Sequence, residues 1–271
     1  MFLAEPAPTA WDLHFRLFGI PIRISPWFWV SNILLGWTFA QGVAKGSEGS
    51  VSAGAALAIW TVAVLVSIVI HEMGHSLMFR RFGTASHIVL YQFGGIAVPD
   101  RALNSFEAKR QNSPQENILI SLAGPVTQML FAVVLIAIVW AAGYSLPNPL
   151  PFIHALDFLQ RGKPIGSLPL IALIYAFNYC SIWWALMNLL PVYPLDGGQI
   201  SREAFLLSNV RDGIRQSLIL SIITGAAVAI WALTQEKDTY LALMFGMLAY
   251  SSFMTLQAYS GRGGGFGGNS W

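Results

Sequence analysis

Charged side chains are scarce in this chain. Asp, Glu, Lys and Arg make up 10% of its 271 residues while 55% are hydrophobic; soluble domains carry about 25% charged residues. That balance excludes an ordinary soluble fold and sets aside the two domains that length alone would suggest. The net charge of +2 identifies no partner, and no nucleic-acid partner is expected. Cysteine occurs once, as Cys180 in an apolar run, so no internal disulfide can form and the residue reads as a small apolar filler. The first ten residues lack a basic-then-apolar pattern, so no cleavable signal peptide is expected and the first spanning helix is the anchor. Neither an internal repeat nor a separate soluble domain is visible.

What the chain does have is long uncharged runs. Residues 49–70 hold no Asp, Glu, Lys, Arg or His, enough helix to cross a ~30 Å hydrocarbon core at ~1.5 Å per residue. Comparable runs cover about 24–44, 117–142, 164–195, 216–235 and 239–261. The expected fold class is therefore an all-α polytopic membrane protein with six transmembrane helices. Trp27 and Trp29 suit an aromatic belt at the start of the first. The 164–195 run is too long for one straight helix and should break near Pro191, continuing as extended backbone. Gly124-Pro125 should kink the third helix or let a neighbour approach closely.

Two stretches read as strands. Residues 1–25 suggest an interfacial hairpin lying on the membrane surface, broken at Gly19-Ile20-Pro21, with Arg16 and Arg23 as solvated charges. Residues 83–100 are apolar but too punctuated to span, and read as strand, Gly94-Gly95 turn, strand. A re-entrant loop dipping toward the second helix is expected, able to bind an extended peptide by strand addition; a plain surface hairpin is the alternative. Within it, His87 reads as a surface residue. The expected organisation is an interfacial hairpin at 1–25, a six-helix membrane body at 26–260 and a flexible Gly-rich tail at 261–271.

The second run does not end as a membrane helix should. It closes on His71-Glu72-Met73-Gly74-His75. Histidines four apart share one helix face and can bind one Zn²⁺, while Glu72 on the adjacent face can act on a water without becoming a ligand. Shuffling the 5 His and 7 Glu of the chain gives roughly 0.002 such matches, so chance is a weak rival; a structural His pair is a stronger one, disfavoured because ionisable groups at membrane depth are costly. Of the 13 acids, only Glu72 and Asp196 fall at expected membrane depth. Asp196 is the candidate third ligand, and two His plus one carboxylate leave one position open for catalysis. An Asp-Gly turn residue is the plainer reading of Asp196.

Six helices place both termini on one side. Eleven Lys and Arg then share that side and four the other, so the termini and the His-Glu-His end are expected to be cytoplasmic.

With His71-Glu72-x-x-His75 on one helix and Asn188-x-x-Pro191-x-x-Pro194-Leu195-Asp196-Gly197 ending another, the chain resembles the site-2 protease family of intramembrane zinc metalloproteases. Phe18-Gly19-Ile20-Pro21-Ile22, Phe93-Gly94-Gly95 and Gly124-Pro125 extend the resemblance over most of residues 14–200. It implies one Zn²⁺ held by His71, His75 and Asp196, with Glu72 as general base. It also implies Asn188 beside the scissile peptide, Gly94 and Gly95 in substrate positioning, and substrates that are membrane-anchored regulatory proteins cut within or near a transmembrane segment. A multi-pass protein of a bacterial or archaeal cell membrane, without PDZ or CBS domains, is expected. Gln128 stands where members often carry Asn, and Ser25 where they often carry His. A transporter, or a scaffold without activity, is the rival from another class; a transporter would need a charge relay across the outer half of the bilayer, and none is visible.

Overall fold

The computed structural model describes residues 5–100, 112–150, 153–236 and 238–263. Arg101, Glu107, Lys109, Arg110, Lys237 and the Gly-rich tail from 264 onward lie outside the described residues. The chain divides into two compact units. One comprises residues 4–105 and 123–186; the other is built mainly from 106–122 and 187–271.

The first unit opens on a hairpin, β1 (Leu13–Leu17) and β2 (Ile20–Ile24). Its turn is Phe18-Gly19, both at positive φ (50° and 81°), the two-residue geometry whose twist matches paired strands. The break thus falls earlier than Gly19-Ile20-Pro21, and Pro21 sits inside β2 opposite Arg16. Helix α1 (Pro26–Gly46) starts with Pro in its first turn, where no N–H partner is needed. In α2 (Ala53–Arg81), the Ser52 hydroxyl accepts the Ala55 N–H. The two helices approach at Gly36, where a Cβ would lie 2.3 Å from Trp60 Cδ1.

After α2 come β3 (Ser86–Tyr91) and β4 (Gly94–Pro99), antiparallel. Their turn is Gln92-Phe93, two residues before the expected Gly94-Gly95, and both glycines belong to β4. The two hairpins are not separate. β2 pairs with β3 in parallel, Ile22 opposite Ile88, giving one sheet in the order β1-β2-β3-β4. Ile22, Ile24, Ile88 and Leu90 join Ile68 and Met73 of α2 and Phe28 of α1 in one buried cluster. The unit is completed by most of α3 (Pro114–Ala141) and by α4 (Leu168–Asn188).

Arg23 corrects the expectation of a solvated charge. It is 7% exposed and donates to Asp12 Oδ2 (2.9 Å), Glu5 Oε1 (2.8 Å) and the Pro6 carbonyl (2.8 Å). The Asp12 carboxyl is held down at about 2. Desolvation would raise it, but Thr9 hydrogen bonds and the Arg23 guanidinium together outweigh that. His87 Nδ1 lies 2.5 Å from Asp100 Oδ1 and its Nε2 3.3 Å from Glu5 Oε1.

In the second unit the chain breaks after Asn188, as Pro191 and Pro194 require, then enters α5 (Asp196–Ser208). α6 (Gly213–Trp231) continues as a π turn to Glu236, and α7 (Thr239–Gly263) follows. The Tyr193 N–H donates to Ser221 Oγ of α6, and Ser252 Oγ of α7 donates to the Tyr193 carbonyl.

Among the described residues, five helical stretches are long and apolar enough to cross a membrane: Ala53–Arg81, Pro114–Ala141, Leu168–Asn188, Gly213–Glu236 and Thr239–Ser260. α1 matches them in length, but Asn32, Gln41 and its tryptophans dilute its apolar character. Outward side chains such as Leu34, Ile138, Ile230 and Leu243 are more than half exposed, a surface suited to an apolar surrounding.

Candidate metal centre

Ser67, His71 and His75 lie one turn apart on α2, so one helix face carries all three. That face is buried: His71 is 3% exposed, and Glu72 and His75 are buried beside it. The imidazole planes stand at 75° with centroids 4.8 Å apart, and the two Nε2 atoms approach to 3.1 Å. At that distance one neutral imidazole can donate its N–H to the lone pair of the other. The same two nitrogens are also placed to share one metal ion.

α3 is pressed closely against this face. A Cβ on Gly74 would lie 2.4 Å from the Ala123 carbonyl oxygen, and one on Gly124 would lie 2.2 Å from His75 Nε2. Gly124 is therefore a seat for the His75 ring. One turn further along, fully buried Gln128 places Oε1 2.8 Å from His71 Nδ1, and its Nε2 donates to Ser67 Oγ (2.8 Å) and to the Ser67 carbonyl (3.4 Å). Ser67 Oγ in turn lies 2.9 Å from Ser181 Oγ of α4.

β4 closes the site on the side of Glu72. A Cβ on Gly95 would lie 2.5 Å from Glu72 Cγ and 2.7 Å from Glu72 Oε1, so only glycine lets the strand pass the carboxylate. A Cβ on Gly94 would meet the Trp184 ring at 2.6 Å, and its φ of +117° independently favours glycine. The Tyr91 hydroxyl is pushed up to about 12, chiefly by burial and further by the Glu72 charge.

Asp196 is the first residue of α5 and 8% exposed. Its position follows from its neighbours: a Cβ on Gly197 would lie 2.1 Å from the Leu189 carbonyl oxygen, and one on Gly198 2.4 Å from the Tyr193 nitrogen. His71, His75 and Asp196, all three buried, are a group that could bind a metal ion. Two imidazole nitrogens and one carboxylate oxygen are a donor set suited to Zn²⁺ with a position left open, so the residues fit the metal. Asn188 closes α4 and is half-buried.

Sequence reasoning missed Ser67 and Ser181, and noted Gln128 only as a departure. Ser67 had a readable signal, one helical turn before His71 on the same face; Ser181, on another helix, had none.

A sequence model of peptidase family M50 matches residues 59–233. The chain is 31% identical over 191 residues to a putative zinc metalloprotease of Synechocystis sp., covering 69% of this chain and 42% of that protein. It is 25% identical over 201 residues to a zinc metalloprotease of Methanocaldococcus jannaschii, covering 73% and 46%. It thus spans less than half the length of these two relatives. In fold it is similar to the site-2 protease from Methanocaldococcus jannaschii, at TM-score 0.50 and 20% identity over 91% of this chain and 95% of that one.

Proposed function

The chain belongs to peptidase family M50, and on that premise we propose that it is a zinc-dependent endopeptidase working inside the membrane. The observation that carries this reading is the buried group of His71, His75 and Asp196, which would hold one Zn²⁺. When bound, that ion supplies Lewis-acid polarisation of the scissile carbonyl and makes water a nucleophile near neutral pH.

The chain's own residues do the rest. Glu72, buried beside the histidines, takes the proton of the attacking water and returns it to the leaving amine. Asn188 donates a hydrogen bond to the oxyanion. Gly94 and Gly95 keep β4 close to Glu72, and β4 is the last strand in the sheet order. An extended substrate segment can add to that edge by main-chain hydrogen bonds, which brings its peptide alongside the carboxylate. The substrate is a membrane-anchored regulatory protein whose transmembrane helix unwinds locally, because helical carbonyls are already hydrogen-bonded.

The body is a multi-pass protein of the cell membrane in which α1 makes the sixth crossing, with termini and site on the cytoplasmic side, as the division of Lys and Arg favours. The hairpin at 1–25 lies on the membrane surface; exposed Trp11, Leu13, Phe15 and Phe18 support that placement. The test is Glu72→Gln in the full chain: zinc content is retained while cleavage of a membrane-anchored substrate falls by ~10²-fold or more. Retained cleavage removes Glu72 from its role.

A further inference from the structure

We propose that Gln128 is a positioning residue that fixes the tautomer of His71 and so prepares its Nε2 to bind the metal; this deepens the metal-centre reading above and rests on it. A carbonyl oxygen can only accept, and Gln128 Nε2 lies 3.4 Å from the Ser67 carbonyl as well as 2.8 Å from Ser67 Oγ. The NH₂ end of the side chain must therefore face Ser67, which sends Oε1 toward His71. Oε1 has no hydrogen to give. At 2.8 Å, His71 Nδ1 must then be the donor, so the neutral ring carries its proton on Nδ1 and its lone pair on Nε2. Nε2 is the nitrogen that points at His75 Nε2, 3.1 Å away.

The brace continues beyond the amide. Ser67 Oγ is 2.9 Å from Ser181 Oγ, so a chain of neutral groups runs from α4 through α2 to α3 and back to the His71 ring. Gln128, Ser67 and Ser181 are all fully buried, and water does not compete for these bonds. Outer partners of metal-bound histidines act in this way, orienting the ring and setting the tautomer. Here the acceptor is an uncharged amide, so the brace adds no charge to the two imidazoles and one carboxylate. The length of the side chain matters as well. Asn at 128 would be one methylene shorter and could not span the same gap between Ser67 and His71 without a shift of α3.

Two measurements on the full chain in detergent test this. The first needs no variant: long-range ¹H–¹⁵N spectra of the metal-free protein should show His71 as the Nδ1–H tautomer. The second is zinc affinity by chelator competition. Gln128→Leu should bind zinc ~10–100-fold more weakly than wild type. Gln128→Glu, which keeps the acceptor, should recover most of that loss, and Gln128→Asn should fall between. A His71 resonance of the Nε2–H form overturns the proposal, as does Gln128→Leu binding zinc as tightly as wild type. If Gln128→Leu does not fold, the His71 spectrum and the Gln128→Glu affinity decide: a spectrum of the Nδ1–H form with wild-type-like Gln128→Glu binding supports the proposal. A wild-type chain that takes up no zinc overturns the metal-centre reading and this proposal with it, whereas equal binding by wild type and Gln128→Leu overturns only the role of Gln128.

Discussion

The histidines and the aspartate of the candidate centre are held by opposite means. His71 and His75 lie within a continuous helix, and the orientation of His71 depends on polar side chains, Gln128 and behind it Ser67 and Ser181. Asp196 opens a helix and is set by main chain. The preceding break is folded by Val192 N–H to Leu190 O (2.7 Å) and Leu195 N–H to Val192 O (2.8 Å), and Gly197 and Gly198 let backbone press on backbone. The histidine side should therefore be sensitive to lost hydrogen bonds, and the aspartate side to added carbon.

The largest expected effect treats both sides alike. His75→Ala or Asp196→Ala should lower zinc affinity beyond the ~10²-fold typical of changes to outer partners, with elemental analysis showing metal near background. Retention of stoichiometric zinc by Asp196→Ala would remove the aspartate from the centre. Next, Gly95→Ala should split metal from chemistry: its Cβ collides with Glu72 rather than with a histidine. Zinc content should hold while turnover falls ~10²-fold. Parallel loss of zinc in that variant would place β4 in support of the ligands as well.

The comparison is sharpest between Gly197→Ala and Ser67→Ala. The first drives carbon into a carbonyl and should cost ~1–3 kcal/mol; the second removes one buried hydrogen-bonded hydroxyl and should cost ~1 kcal/mol. Thermal unfolding in detergent ranks them, and the reverse order breaks the contrast. The smallest effect concerns Asp12. Its pKa is about 2 in the fold and ~3.9 unfolded, so its stabilising contribution is complete above about pH 4 and lost as pH falls through about 2. Carboxyl ¹³C titration should give that low midpoint, and Arg23→Gln should move it upward.

Much of this was legible in the chain. The spanning runs and the His-Glu-His spacing are local signals, and prolines at 191 and 194 announce the end of α4. Other features had no local trace. Nothing near Ile22 or Ile88 states that they pair, because a ladder between residues 66 positions apart leaves alternation unchanged. Gly94-Gly95 looked like a turn because Gly-Gly favours turns; the Glu72 carboxylate gives Gly95 a different reason to exist. Arg23 looked solvated because its partners, Glu5 and Asp12, belong to a segment with no regular structure. Gln128 read as a substitution in a familiar pattern, and only its three polar contacts turn it into a brace.

The parallel junction between β2 and β3 has a consequence for biosynthesis. The first hairpin leaves the ribosome with one edge of β2 bare, and its mate β3 arrives only after α1 and α2 have been synthesised. During that interval the nascent chain carries an unsatisfied strand rim, the kind of surface that recruits wrong partners. Slow or failed insertion of α2 should therefore register first as aggregation of the amino-terminal hairpin, upstream of any defect at the metal.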